Sequence, residues 1–267
     1  MTGRGITLCA DDYALHPLVD EAVLRLAQTG RLSATSCMST APRWRAAAPQ
    51  LLPLRGRLQL GLHFNLTEGH GGAHAAHSLG QVLAAAYLRR LSAAQLRDAW
   101  RAQLDAFEDA IGSAPDFIDG HQHVHQLPGV REALLAELQR RYAGGPMPWV
   151  RSTVPAGRLW RDRKAAIIAL LGGWQATRLL ARAGVAMNQG FGGVYGFDAP
   201  TPQQYGAHMQ AWLAQVQAGS LLMCHPAAAE VPGDAIGTQR PVEFAYLMSE
   251  DFAQDLRLQG CRLLPKE

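Results

Sequence analysis

The sequence predicts an α/β fold: a single-domain (β/α) barrel over residues 1–267, with fewer than eight regular β/α units. Three observations predict it. Short apolar runs alternate with segments of helical periodicity from end to end, and no linker-like stretch divides them. Strands joined by helices pair in parallel, because a parallel neighbour needs a crossover. A chain of 267 residues is also long enough to bury a sizeable core.

From the N-terminus, Ile6 to Ala10 is a short apolar run that reads as a buried strand. Val19, Ala22, Val23 and Leu26 recur at helical spacing, and Gly30 is their natural stop. Ser33–Ser39 is strand-like, Trp44–Leu52 helical, and Leu58–Leu62 a third strand. Asn65–Gly80, rich in glycine and histidine, reads as a long loop over a binding face. Ser92 and Gln95 form a capping box ahead of Leu96, Trp100, Leu104, Phe107 and Ile111 on one helix face, which Gly112 ends. Phe117–Asp119 is a strand, Val130–Tyr142 a helix, and Trp149–Arg151 a strand. Lys164–Ala183 is helical, Val185–Asn188 a short strand, Pro202–Gln217 a helix and Ser220–Cys224 a strand. Two helical pieces fill Pro241–Leu258, and Arg262–Leu264 is a last edge strand.

Composition narrows the function classes. Hydrophobic residues make up 48% and charged residues 18%, as in a soluble globule, and the net charge of +3 is too small to argue for nucleic acid. No apolar run is long enough for a membrane span; the longest, Ala165–Gly173, is bracketed by charge. No targeting segment precedes Asp11. Cys9, Cys37, Cys224 and Cys261 lack C-x-x-C spacing and sit in or beside strand-like stretches, which fits reduced thiols in a cytoplasmic protein. Without a secretion signal, the Asn65-Leu66-Thr67 glycosylation match reads as chance.

Ionisable residues gather where the strand-like runs end. Ile6–Ala10 runs into Asp11 and Asp12, Leu58–Leu62 into His63, and Phe117–Ile118 into Asp119, His121, His123 and His125. Trp149–Val150 runs into Arg151, and Ser220–Cys224 into His225. In a parallel barrel the C-terminal strand ends share one face, where such folds place their active sites. Adjacent carboxylates point in different directions, so one of Asp11 and Asp12 can bind a metal while the other works on water. The three histidines of Gly120–His125 lie on one face if the segment is extended, and spacing alone leaves open which of them binds.

Ala10-Asp11-Asp12-Tyr13-Ala14, Gly61–Gly69 around His63, Asp119–His125 and Met223-Cys224-His225-Pro226 together resemble the YdjC family, which includes the ChbG and HpnK types of carbohydrate deacetylase. The resemblance implies a distorted TIM-like barrel and a metal-dependent N-deacetylase, a hydrolase of carbohydrate metabolism that acts on an N-acetylated sugar or oligosaccharide. By motif, Asp11 matches the general base, and Asp12, His63 and His121 match the metal ligands. Arg151 resembles an arginine that orients the base, and His225 the late histidine that serves as acid. Asp119, His123 and His125 stand as supporting or substrate-contacting residues, the two histidines also as alternative acids. Tyr13 and Ala14 replace the usual Phe-Gly, and Gly120 and Gln122 replace the usual Ser and His; no expected ligand is lost.

One divalent ion is expected, zinc or magnesium first, with manganese, cobalt or nickel also compatible. A homodimer is a family-level expectation. Two alternatives carry weight: a metal-dependent phosphoesterase using Arg151 to hold phosphate, and a non-catalytic sugar- or metal-binding protein. Tyr195 and Phe191 are candidates for the pocket wall, and Trp160 and Trp174 for stacking on a sugar.

Overall fold

The structure is a computed structural model that describes residues 3–70 and 78–264. Its strands are β1 (Arg4–Tyr13), β2 (Ala34–Cys37), β3 (Gln59–Phe64), β4 (Phe117–Gly120), β5 (Trp149–Val150), β6 (Phe191–Gly192), β7 (Leu221–Cys224) and β8 (Cys261–Leu263). They form one parallel sheet in the order β5-β4-β3-β2-β1-β7-β6, with β8 alongside β1. The sheet curls into a distorted TIM-like barrel, and its two ends approach at a single parallel bridge, Val150 to Met187. The expected strand at Val185–Asn188 is therefore that bridge; the ladder to β7 is made further on, at Phe191–Gly192.

β1 is the longest strand because it serves two partners along one side. Arg4–Ile6 pairs with β8, whereas Thr7–Ala10 pairs with β7. β2, β3, β4 and β7 are buried or nearly so along their whole length, as strands covered on both faces must be.

The helices are α1 (Pro17–Gln28), α2 (Trp44–Ala47), α3 (Leu79–Tyr87), α4 (Ala93–Ile111), α5 (Val130–Arg141), α6 (Arg163–Ile168), α7 (Trp174–Arg182), α8 (Pro202–Leu213), α9 (Arg240–Met248) and α10 (Glu250–Leu258). α4 buries the expected face, with Trp100 stacked on Phe64 of β3 and Phe107 on Trp44 of α2. Each such fully buried side chain contributes about 1.5–3 kcal/mol. Gly112 closes α4 in the left-handed conformation, φ 77°. Ser92 accepts from Gln95 N, but the reciprocal capping box forms at Ser78 and Gln81 of α3, a helix that the apolar spacing did not reveal.

Two helical expectations are corrected. Trp44–Leu52 continues beyond α2 as 3₁₀ turns over Ala48–Leu54, because Pro49 and Pro53 remove the amides an α-helix needs. Lys164–Ala183 is broken at Ala169–Gly173, where Gly172 takes φ 113° and packs on Gln126 O; a Cβ there would stand 2.5 Å from that oxygen. Of the loop expected at Asn65–Gly80, residues 71–77 lie outside the described residues, and Leu79 already belongs to α3.

Among the described residues no helix is long and apolar enough to cross a membrane. The four cysteines are buried and free, each in a different strand.

Candidate metal centre

β1 ends in a bulge. Its register against β2 shifts between Ala10 and Tyr13, and Asp12 takes φ 70°, a left-handed conformation costly for any residue but glycine. In a regular strand Asp11 and Asp12 would point to opposite faces; the bulge lets both line one cavity. The turn is pinned from α1, where Asp20 accepts from Ala14 N at 2.6 Å.

β3 and β4 lie side by side, with His63 in register with Asp119. His63 Nδ1 donates to Asp119 Oδ1 at 2.7 Å, and Ser36 Oγ of β2 bonds to both groups. A carboxylate only accepts, so Nδ1 carries a hydrogen, and Nε2 is the nitrogen a cation would take in place of its proton. Nε2 stands 3.3 Å from Asp12 Oδ1.

The chain leaves β4 in a tight turn rather than an extended segment. Gln122 and His123 have φ of 51° and 61°, so the three histidines do not share a face. His121 turns to Asp12, with Nδ1 at 2.9 Å from Oδ1, and its Nε2 lies 3.4 Å from Glu68 Oε1. His123 lines the cavity against the edge of Phe191. His125 points away, donating from Nε2 to Arg151 O at 3.0 Å.

Arg151, directly after β5, is wholly buried and grips Asp11 with both Nη atoms, at 2.6 and 2.7 Å. Its Nη2 also contacts Asp119 Oδ2 at 2.5 Å and Cys9 Sγ at 3.1 Å. Cys9, Asp11 and Asp119 gather closely enough to suggest a second metal cluster, but this guanidinium occupies their centre. His225, after β7, brings Nε2 to 3.9 Å from Asp11 Oδ2.

The structure adds Arg240 and Glu243 of α9, together with Glu68 and Ser36, none of which the sequence singled out. Arg240 Nη2 donates to Asp12 Oδ2 at 2.7 Å. A signal for the α9 pair does exist in the sequence: Arg240 and Glu243 are in helical phase with the buried Phe244 and Leu247.

Charge explains the titration behaviour. Burial works to raise both acids, yet Arg151 beside Asp11 and Arg240 beside Asp12 hold them well below the usual carboxylate range. Burial works to neutralise the rings, but Asp119 lifts His63 to about 10 and Asp12 raises His121. Burial, reinforced by Arg151, pushes His123 well down. Burial takes His125 to about 4, against the pull of Asp119.

Asp12, His63 and His121 bring one donor atom each to within 4.8 Å of one another. The set fits a divalent cation. Two imidazoles and a carboxylate are transition-metal donors, and each ring has a second carboxylate at its far nitrogen, the usual support of a ligating histidine. The buried acids Asp11, Asp12 and Asp119 also outnumber the two buried guanidinium groups facing them.

The trio forms the floor of a cavity of about 750 Å³. Tyr195 lines it as expected and Phe197 joins it, whereas Phe191, Trp160 and Trp174 do not.

A parallel barrel with an Asp-His-His cluster at its strand ends defines the class: an α/β barrel with a candidate metal site. The chain belongs to the YdjC-like protein family, whose model matches residues 5–258. It is 31% identical over 147 residues to a carbohydrate deacetylase of Mus musculus, a match covering 50% of this chain and 47% of that protein. The chain thus spans about half the length of the relatives it matches. A crystal structure from Enterococcus faecalis, described as a putative cellobiose-phosphate cleavage protein, superposes with a TM-score of 0.71 at 17% identity, covering 98% of this chain and 97% of that one. The family 4 carbohydrate esterase of Streptomyces lividans, in complex with acetate, shares the fold at a TM-score of 0.51 and 9% identity, covering 98% and 92%.

Proposed function

We infer that this protein is a metal-dependent carbohydrate deacetylase, acting as one domain over residues 1–267, that hydrolyses the acetamide of an N-acetylated amino sugar to acetate and a free amine. One observation carries the reading: an Asp12–His63–His121 trio, the first two buried and the third half-buried, stands beside a second carboxylate, Asp11, which is held apart from it by Arg151. The mouse relative's name, carbohydrate deacetylase, supports it.

Asp12, His63 and His121 would hold the cation, and the imidazole donors favour zinc, cobalt or nickel over magnesium. When bound, such an ion polarises a carbonyl oxygen and acidifies water. Asp11 takes the proton from the water that attacks the acetyl carbon. Its carboxylate is kept ionised and oriented by the two-pronged Arg151 contact. As the carbon–nitrogen bond breaks, the amine leaves with a proton, and His225 is placed to give it, on the cavity wall 3.9 Å from Asp11. His125 is turned to a backbone carbonyl, and His123 is strongly biased to the neutral ring, so each is a weaker acid candidate.

The phosphoesterase reading needs a guanidinium free for phosphate. Arg151 is fully buried with its Nη atoms committed to Asp11, Asp119 and Cys9, which removes the support for that reading.

The test is acetate release from N-acetylated chitooligosaccharides. Release should stop with chelator and return with added zinc. Asp11→Asn should lower kcat by about 10²–10⁴-fold while zinc stays bound. Full turnover in Asp11→Asn, or in chelated protein, would refute the mechanism.

A further inference from the structure

We propose that Arg240 and Glu243, one turn apart at the start of α9, are positioning residues: they restrict Asp12 to offering a single oxygen to the cation and fix His225 relative to it. The proposal rests on the reading of Asp12, His63 and His121 as ligands.

Asp12 divides its carboxylate between two tasks. Oδ1 faces His121 Nδ1 at 2.9 Å and His63 Nε2 at 3.3 Å, whereas Oδ2 accepts from Arg240 Nη2 at 2.7 Å. Gripping a cation with both oxygens would force Oδ2 to share its charge between the cation and a buried guanidinium 2.7 Å away, so the guanidinium disfavours that grip. Arg240 is itself 1% exposed and cannot swing aside, because its Nε donates to Asp234 Oδ2 at 2.6 Å. A planar guanidinium holds two carboxylates on separate edges; an ammonium is a single point of charge. With Asp12 limited to one oxygen, the protein supplies three donor atoms, which leaves positions open for water and for the acetyl oxygen.

The same helical turn holds the other side of the reaction. Glu243 Oε2 accepts from His225 N at 2.7 Å, and Arg240 Nη1 lies 3.5 Å from His225 O. Glu243 Oε1 accepts from Tyr195 OH at 2.6 Å, which fixes that carboxylate in turn. The backbone of His225 and the carboxylate of Asp12 are therefore referenced to one rigid piece of α9.

The experiment compares the full chain with Arg240→Met, Arg240→Lys, Glu243→Gln and Asp12→Asn. Zinc affinity is measured by chelator competition, absorption on the cobalt-loaded protein, and kcat and KM on acetylated chitooligosaccharide. Arg240→Met frees Oδ2 and removes a buried positive charge beside the site, so it should tighten zinc by about 10-fold, lower kcat and shift the cobalt spectrum; weaker zinc would overturn the restricting role. Arg240→Lys keeps a buried charge and so guards against a folding failure; it should bind zinc with intermediate affinity and show a shifted cobalt spectrum. Glu243→Gln should retain zinc affinity, lower kcat about 10-fold and leave KM unchanged. Wild-type zinc affinity and an unaltered cobalt spectrum in the Arg240 variants, with zinc lost in Asp12→Asn, would overturn the Arg240 half and leave the ligand assignment standing. Zinc retained in Asp12→Asn would overturn both, and an unchanged kcat in Glu243→Gln would remove the Glu243 half.

Discussion

His125 and His121 are four residues apart and face opposite electrostatic environments. His121 is drawn toward the charged form by Asp12, whereas burial keeps His125 neutral down to about pH 4. In the unfolded chain the His125 ring regains its ordinary value near 6.5. Its contribution to stability is therefore complete above about pH 6.5 and is lost as pH falls toward 4, by about 3 kcal/mol in all. Thermal midpoints between pH 7 and 4 should fall less steeply in His125→Gln than in the wild type; equal slopes would show that another group governs that range. The sequence placed His125 among the candidate acids because it shares a motif with His121. Only the two consecutive left-handed residues at Gln122 and His123 turn it away, and no residue type there announces them. Asp11, Asp12 and His63 were legible for the opposite reason: each breaks an apolar strand pattern at its end, where a buried charge must have a task.

The turn after β4 shows how one element aims several side chains. Gly120 is extended, and a Cβ added to it would stand 2.8 Å from His125 N and 3.0 Å from His125 Nδ1. Backbone at that distance cannot rotate away, so Gly120→Ala should destabilise the fold by about 1–3 kcal/mol and weaken zinc binding through His121. Calorimetry and zinc titration would check this; wild-type values of both would mean that the turn relaxes freely. α9 was located by its periodicity, but its role was not. Charged residues in a helix ordinarily face water, and that expectation hides Arg240 and Glu243. Their phase with Phe244 and Leu247 shows that they face inward, toward partners on β1 and after β7 that adjoin only in the folded sheet. Glu68 and Ser36 were illegible for the same reason, because their partners His121, His63 and Asp119 are distant in sequence.

At the scale of the whole molecule, the parallel order of the sheet gathers the chemistry. Because β1, β3, β4, β5 and β7 run the same way, residues that end β1, β3, β4 and β7 line one cavity, and Arg151 after β5 is buried against Asp11. That convergence was foreseen from alternation alone, as was the incomplete regularity of the barrel. The manner of closure was not: Val185–Asn188 reads as a strand, whereas only Met187 within it pairs, in one bridge. Between β5 and the segment leading to β6 the wall is held by Val150 paired with Met187, with Val150 N donating to Ala186 O at 3.0 Å. β1 and β7, by contrast, share a ladder of several residues. The Val150 amide should accordingly exchange with deuterium well before that of Ala10 in β1, a comparison that mass spectrometry of peptides can make. Arg151 is the next residue along. A barrel with one weak stave next to the guanidinium that steadies Asp11 should go silent on warming before it comes apart, with turnover fading while the staves around β1 remain protected.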